Sequence, residues 1–210
     1  MENKWLVSTT YGENYDPLAE LVTPNHLGYC RKNGYDYNVH HAPFNSKTVY
    51  YNANIDLVFE MLPYYGAIAL IDLDVVFMDW NVSLDSLFPK EYSQQIAREE
   101  LAEGGALYNA GVVLLRSSNS TWNLLKQIRE YRSIYEKHCQ VWQKQIQDYI
   151  QAGAVEIQKM NVVSAQTMNA HPWPGRPPSY QKGNPIVHAY CMYQDDKIKE
   201  LSRFLPEVIK

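Results

Sequence analysis

The chain has 210 residues, the right length for one domain with a substantial core. Hydrophobic residues make up 46% and charged residues 20%, which excludes an intrinsically disordered chain. The formal net charge of −4 argues against a general nucleic-acid binder, which would carry a basic stripe.

Met1 to Trp5 leads straight into a strand-like run, so no signal peptide is expected. No apolar stretch approaches the length of a membrane span. Cys30, Cys139 and Cys191 are odd in number, widely spaced and without zinc-site spacing. The expected setting is therefore reducing and cytoplasmic. Two glycosylation sequons, at Asn81 and Asn119, carry no weight in that setting. Tyr is frequent, 17 residues against 5 Phe. It offers a flat face and a hydroxyl, which suits sugars and bases, although half-buried packing explains most of them.

Trp5 to Thr9 reads as the first strand, followed by a loop over Thr10 to Asn14. Thr23-Pro24 reads as an N-cap with Pro at the first helical position, and Gly34 as the stop, giving a helix of about ten residues. Tyr35 to His40 alternates as a second strand. Asn52 to Leu62 is helical, with Ile55, Val58, Phe59 and Leu62 on one face. Pro63 and Gly66 punctuate before the next strand. Strand, helix, strand, helix, strand predicts right-handed crossovers and a mostly parallel sheet.

That third strand ends in an Asp-x-Asp. Ala67 to Ile71 is a short run without polar alternation, which predicts a buried central strand. Asp72 and Asp74 follow it directly. In an extended chain, residues i and i+2 point the same way, so the two carboxylates should converge. Two carboxylates are costly to bury unless a cation neutralises them. A hard divalent cation with a phosphate-bearing ligand is the natural partner. Ligands of open α/β sheets sit at the carboxyl ends of strands, where this pair falls.

Ser83 to Phe88 reads as one helical turn. Glu91 to Gly105 is polar and acidic, ends in Gly104-Gly105, and is expected to be mobile. Leu107 to Arg116 is a second apolar strand, interrupted by Asn109-Ala110-Gly111. Helices are expected at about Ser120–Tyr135 and Gln140–Ala152, and short strands at Val155–Ile157 and Val162-Val163. Ala170 to Pro185 holds five Pro and two Gly in sixteen residues, so it is a loop. Pro185 to Tyr190 is a last strand containing His188, and Asp195 to Leu205 a final helix.

Three stretches now line up. Ile71-Asp72-Leu73-Asp74-Val75-Val76-Phe77-Met78-Asp79, Tyr108-Asn109-Ala110-Gly111-Val112-Val113-Leu114-Leu115-Arg116 and Ile186-Val187-His188-Ala189-Tyr190-Cys191 resemble, in order, three landmarks of GT-A glycosyltransferases. The pattern is similar to the galactosyl/xylosyltransferase-like families. The small size resembles the sugar-transfer domains of large, chlorella-type DNA viruses that glycosylate their own capsid protein.

The resemblance implies a single α/β domain of GT-A (Rossmann-like) fold, with a mostly parallel central sheet flanked by helices. Residues 1–80 would form the nucleotide-binding half and 81–210 the donor-sugar and acceptor half. The implied activity is metal-dependent transfer of a hexose or deoxyhexose from a UDP-sugar to a glycan or glycoprotein acceptor, with retention of configuration. Asp74 would ligate Mn²⁺, with Mg²⁺ as the alternative; Asp72 would bind the metal, the ribose or both; His188 would be the third ligand. The cation would stabilise charge on the departing diphosphate.

Thr9, Thr10 and Tyr11 would hold base and ribose. Asn109, Ala110 and Gly111 would admit the donor sugar, the small residues by close approach and Asn109 through its amide, unless the stretch is only a β-bulge. Leu73 would line the donor site. Lys197 would touch a phosphate or sit solvated on its helix. Gln145 would lie near donor sugar and acceptor, although Lys144 stands where the families place an acid. Asp79 and the Glu99-Glu100 pair are base candidates should the enzyme invert. The 91–105 and 170–185 segments would order over the donor.

Two rival readings remain open on the same residues. One is a haloacid-dehalogenase-type phosphatase, with Asp72 as nucleophile and Asp195-Asp196 as the later acidic pair. The other is a non-catalytic nucleotide-sugar-binding module.

Overall fold

The apolar run Ala67–Ile71 lies at the centre of a six-stranded sheet in the computed structural model, which describes residues 4–42, 47–98, 108–135, 141–154, 158–172, 180–190 and 192–210. In chain order the elements are β1 (Trp5–Gly12), α1 (Asp16–Asn33), β2 (Asp36–Ala42), α2 (Lys47–Met61), β3 (Ala67–Ile71), β4 (Val75–Phe77), α3 (Leu84–Leu87) and β5 (Gln94–Arg98). There follow β6 (Tyr108–Arg116), α4 (Asn119–Tyr135), α5 (Val141–Gln151), β7 (Met160–Val163), α6 (Ala165–Met168), β8 (Ile186–His188) and α7 (Gln194–Phe204).

The central sheet has the order β2-β1-β3-β6-β5-β7. β1 pairs in parallel with β2 and β3, and β5 with β7, while β6 runs antiparallel to both β3 and β5. Among the described strands of this sheet only β6 is reversed, so the expected mostly parallel α/β sheet is found.

Alternation assigns the two faces. Trp5, Val7, Ala67, Ala69, Ile71, Val112 and Leu114 point to one side, where they meet Tyr29 and Cys30 of α1 and Phe77 of β4. Leu6, Ile68, Leu70, Val113 and Leu115 point to the other, against Ile55, Val58 and Leu62 from α2 and its end, Leu124 of α4 and Ile146 of α5. Both faces are covered, which is why these strands read as unbroken apolar runs.

A second, two-stranded sheet joins β4 to β8 in antiparallel register. Its outer side packs on Leu18 and Val22 of α1 and Leu201 of α7. The free edge of β4 is taken by α1. Asn25 donates to the Phe77 carbonyl and accepts from the Phe77 N–H, both at 2.9 Å. His26 Nε2 donates to the Val75 carbonyl at 2.7 Å. Side chains thus do for this edge what a neighbouring strand would.

Several sequence expectations need correction. α1 is 18 residues long, not about ten, with Pro17 in its first turn and Pro24 inside it. Pro24 and Glu20 both face solvent, so the carbonyl that Pro24 leaves unpaired can be hydrated. Gly34 does end the helix, in the left-handed conformation (φ 71°). Thr10 to Gly12 continue β1 and are not a loop.

The segment expected to be mobile contains β5, whose Gln94 and Gln95 are wholly buried. Their amides are used: Gln94 bonds Thr121, and Gln95 bonds the Leu87 carbonyl and Asn161. Residues 99–107, which include the rest of that segment, the expected strand 155–157 and the middle of the Pro-rich loop, 173–179, lie outside the described residues. Among the described residues no helix is long and apolar enough to cross a membrane.

Candidate active site

β3 ends at Ile71, and the chain then turns sharply. The Asp72 N–H donates to the Gly111 carbonyl (2.7 Å), and the Val75 N–H donates back to the Asp72 carbonyl (3.2 Å). The two aspartates therefore meet across a turn between β3 and β4, not as alternate residues of one extended strand. β8 runs back beside β4 with His188 opposite Val75, and the Ala189 N–H donates to the Asp74 carbonyl (3.0 Å). This register carries the His188 ring to the two carboxylates.

One ligand atom from each of Asp72, Asp74 and His188 can be chosen so that all three lie within 4.8 Å of one another. His188 Nε2 is 3.3 Å from Asp74 Oδ1 and 3.5 Å from Asp72 Oδ2, yet it makes no well-formed hydrogen bond among the described residues. Lys197, from the first turn of α7, reaches the second Asp74 oxygen, Nζ to Oδ2 at 2.6 Å. Asp74 and His188 are buried, whereas the Asp72 side chain is about a third exposed (32%). The cluster opens to solvent on the Asp72 side.

The electrostatics follow from these contacts. Burial alone would raise the Asp74 carboxyl, but His188 and Lys197 outweigh it and hold Asp74 well below the usual carboxylate range. Burial alone would lower His188; the charge of Asp74, reinforced by Asp72, pushes it up to about 9. Lys197 is likewise disfavoured by burial and raised overall by Asp74. Two carboxylates thus draw in two positive charges, which is the electrostatic pull that would hold a cation.

The donor set passes the test for a divalent ion. Two carboxylates and one imidazole nitrogen could hold a divalent metal ion. The buried, unbonded Nε2 gives the same answer. A buried polar atom without a partner is costly unless something fills the space before it.

Gly111 has a different role from the one its motif suggested. A Cβ on Gly111 would lie 1.9 Å from His188 Cε1, so the glycine makes room for the histidine ring. Asn109 Oδ1 accepts from the Gly111 N–H at 2.8 Å and so fixes the local backbone. Here β6 bulges against β5: Ile96 pairs with Val113, but Ala97 pairs with Asn109. Asn109 is buried and Ala110 half-buried beside it.

The remaining expected residues fall in several places. Thr9 and Thr10, at the carboxyl end of β1, are fully buried, and their hydroxyls have no hydrogen-bond partner among the described residues. Extending the β1–β3 register past Ser8 opposite Leu70 sets Thr10 level with Asp72. The Tyr11 ring lies 5.1 Å from that of His41. Leu73 points into the core with Leu18 and Val22.

Gln145 is not brought to this cluster. It is fully buried and donates to the Ile128 carbonyl at 3.2 Å within the α4–α5 layer. Asp79 lies past β4, where Oδ1 accepts from both nitrogens of Asn81. Glu99 and Glu100 lie outside the described residues. Asp195 and Asp196 occupy the first turn of α7, where acidic residues complement the helix dipole.

Asn169, absent from the sequence expectations, sits behind the cluster with Oδ1 3.0 Å from His188 Nδ1. It stands between Met168 and Ala170 in no motif.

No protein-family model matches the chain, and no curated protein does. Solved structures do. A glycosyltransferase involved in glycosylation of the major capsid of the chlorella virus PBCV-1 superposes with a TM-score of 0.76 at 13% identity, covering 95% of this chain and 99% of that one. The galactosyltransferase LgtC, solved with donor and acceptor sugar analogues, gives 0.59 at 16% identity over 97% and 95%. The glycosyltransferase GlyE of Streptococcus pneumoniae gives 0.56 at 12% identity over 97% of this chain and 62% of that one. Together with the sheet order and the position of Asp72 and Asp74 at its carboxyl edge, these matches give the chain the GT-A fold of glycosyltransferases.

Proposed function

We propose that this chain is a glycosyltransferase that moves a hexose or deoxyhexose from a UDP-sugar to a glycan or glycoprotein acceptor with the help of a divalent cation. The observation that carries this reading is the convergence of Asp72, Asp74 and His188 at the carboxyl edge of a GT-A sheet. These three residues would hold Mn²⁺, with Mg²⁺ as the alternative. Bound there, the cation would offset the charge that develops on the departing diphosphate.

The chain's own groups divide the rest of the work. Asp74 and His188, both buried, would give the site a fixed geometry. Asp72, more exposed, would stand where the ligand enters. Lys197 adds a second positive charge beside Asp74 for a phosphate oxygen. Thr9 and Thr10 would offer their unpartnered hydroxyls to base and ribose. The nucleotide would thus lie over residues 1–80, with donor sugar and acceptor over 81–210.

Transfer would proceed with retention of configuration, which needs no protein base. LgtC was solved with donor and acceptor sugar analogues, which supports partners of this chemical kind.

A thermal-shift series with UDP, GDP, ADP and CMP, each with Mn²⁺, Mg²⁺ or EDTA, tests the reading. Ligand at about a hundred times its dissociation constant adds roughly 2.7 kcal/mol. At this chain length that is on the order of 5–10 °C. The expected result is a shift with UDP that needs the cation. A nucleotide shift unchanged in EDTA would remove the metal, and no shift with any nucleotide would remove the function.

A further inference from the structure

Asn169 closes α6 and is completely buried. Its N–H donates to the Ala165 carbonyl (2.7 Å), and the carbonyl of the next residue, Ala170, accepts from the His188 N–H (3.0 Å). The Asn169 backbone is therefore tied to α6 on one side and to β8 on the other. Its side chain has little freedom, and its Oδ1 lies 3.0 Å from His188 Nδ1.

An amide oxygen only accepts, so Nδ1 must be the donor of this bond. Beside the carboxylates alone the ring carries a proton on each nitrogen; a bound cation would displace the one on Nε2 and leave one proton for two nitrogens. With that proton held on Nδ1, the lone pair is on Nε2, the atom that faces Asp72 and Asp74. Turning the amide round would present its NH₂ group to Nδ1. The proton would then move to Nε2 and block the side of the ring that faces the carboxylates.

We infer that Asn169 is a positioning residue that fixes the ring orientation and proton position of His188, so that Nε2 presents a lone pair to a divalent cation held by Asp72 and Asp74. This rests on the metal reading proposed above. The nitrogen-bearing half of the amide supports it: Asn169 Nδ2 is buried and has no partner among the described residues. The side-chain hydrogen bond of Asn169 therefore runs through its oxygen.

The test is a titration with Mn²⁺ followed by electron paramagnetic resonance, on the full chain and on Asn169→Leu, Asn169→Asp and Asp74→Ala. Leu matches Asn in size but cannot accept. Asp keeps the acceptor and drops the unpartnered NH₂. Asn169→Leu is expected to weaken Mn²⁺ binding about 10- to 100-fold. Asn169→Asp is expected to bind at least as tightly as the unaltered protein, although a purely structural site would suffer from its buried charge. Asn169→Leu binding within twofold of the unaltered protein overturns the inference, as does a folded Asn169→Asp that loses tenfold or more. Should Asn169→Leu not fold, Asn169→Asp decides alone by the same criterion. Loss of the metal site itself is a separate outcome: the unaltered protein and Asp74→Ala would then bind Mn²⁺ alike or not at all, and the inference would go with it.

Discussion

The His188 ring fills the space into which a side chain on Gly111 would project, with Cε1 only 1.9 Å from the ideal Cβ position. Gly111→Ala should therefore expel the ring and abolish Mn²⁺ binding. Overpacking of this kind costs about 1–3 kcal/mol. The double variant Gly111→Ala/His188→Ala should regain that stability without regaining metal. A thermal-denaturation cycle over the four proteins checks both halves. If Gly111→Ala costs as much with the ring removed as with it present, the contact is not the cause.

Asp74 should matter more to folding than Asp72. Asp74 is buried between His188 and Lys197, so Asp74→Asn leaves one buried and one half-buried cation without their counter-charge. Breaking a buried pair in this way costs about 3–5 kcal/mol. Asp72 is partly solvated, and Asp72→Asn should cost about 1 kcal/mol or less. Both should lose UDP binding that depends on Mn²⁺. Denaturant unfolding, paired with nucleotide titration, separates the two effects.

Lys197→Met should change metal and nucleotide binding in opposite directions. Lys197 Nζ occupies Asp74 Oδ2 at 2.6 Å, so it competes with a cation for that carboxylate. Without it, Mn²⁺ alone should bind several-fold more tightly. UDP in the presence of Mn²⁺ should bind more weakly, because a positive charge near the diphosphate is gone. Calorimetric titration of each ligand reads both. A parallel change in the two affinities would make Lys197 a structural residue.

His26 sets a pH limit on the fold. Burial pushes it down to about 4 from the ordinary 6.5, against the weaker pull of its bond to Val75. Nε2 donates to the Val75 carbonyl while Nδ1 accepts from the Tyr37 hydroxyl at 2.8 Å, so the ring is neutral. As pH falls, the unfolded chain takes up this proton first. The stabilisation is complete above 6.5 and is lost progressively between 6.5 and about 4, amounting to about 3 kcal/mol. His26→Gln should flatten stability across that window. An unchanged pH profile would show that other groups set it.

Much of this was legible in the chain itself. Ala67 to Ile71 had to be a central strand, because an unbroken apolar run needs cover on both faces, and the aspartates after it had to find positive charge. His188 and the Asn109-Ala110-Gly111 interruption were visible as a pattern. The reason for Gly111 was not: its neighbour is a histidine 77 positions later, and spacing along the chain does not report such contacts. β5 was missed because Gln94 and Gln95 look like surface residues until their amides are seen bonded to Thr121, Leu87 and Asn161. α1 was cut short because a proline usually starts a helix, and its tolerance here depends on which side of the helix meets water. Asn169 offered no signal, since an asparagine that orients another side chain is indistinguishable in sequence from one that caps a turn.

The pairing of β4 with β8 has a kinetic consequence. It joins segments more than a hundred positions apart, and the Asp74–His188 contact lies at its end. Closing so long a loop is entropically expensive and slow, so this corner should be among the last parts of the molecule to assemble and among the first to open. A ligand that grips Asp74 and His188 together would act as a reversible cross-link across that loop. It would lower the opening rate of the C-terminal third without touching most of the core. Amide exchange in Val187 and His188 should therefore slow sharply on ligand binding, while exchange in β1 changes little.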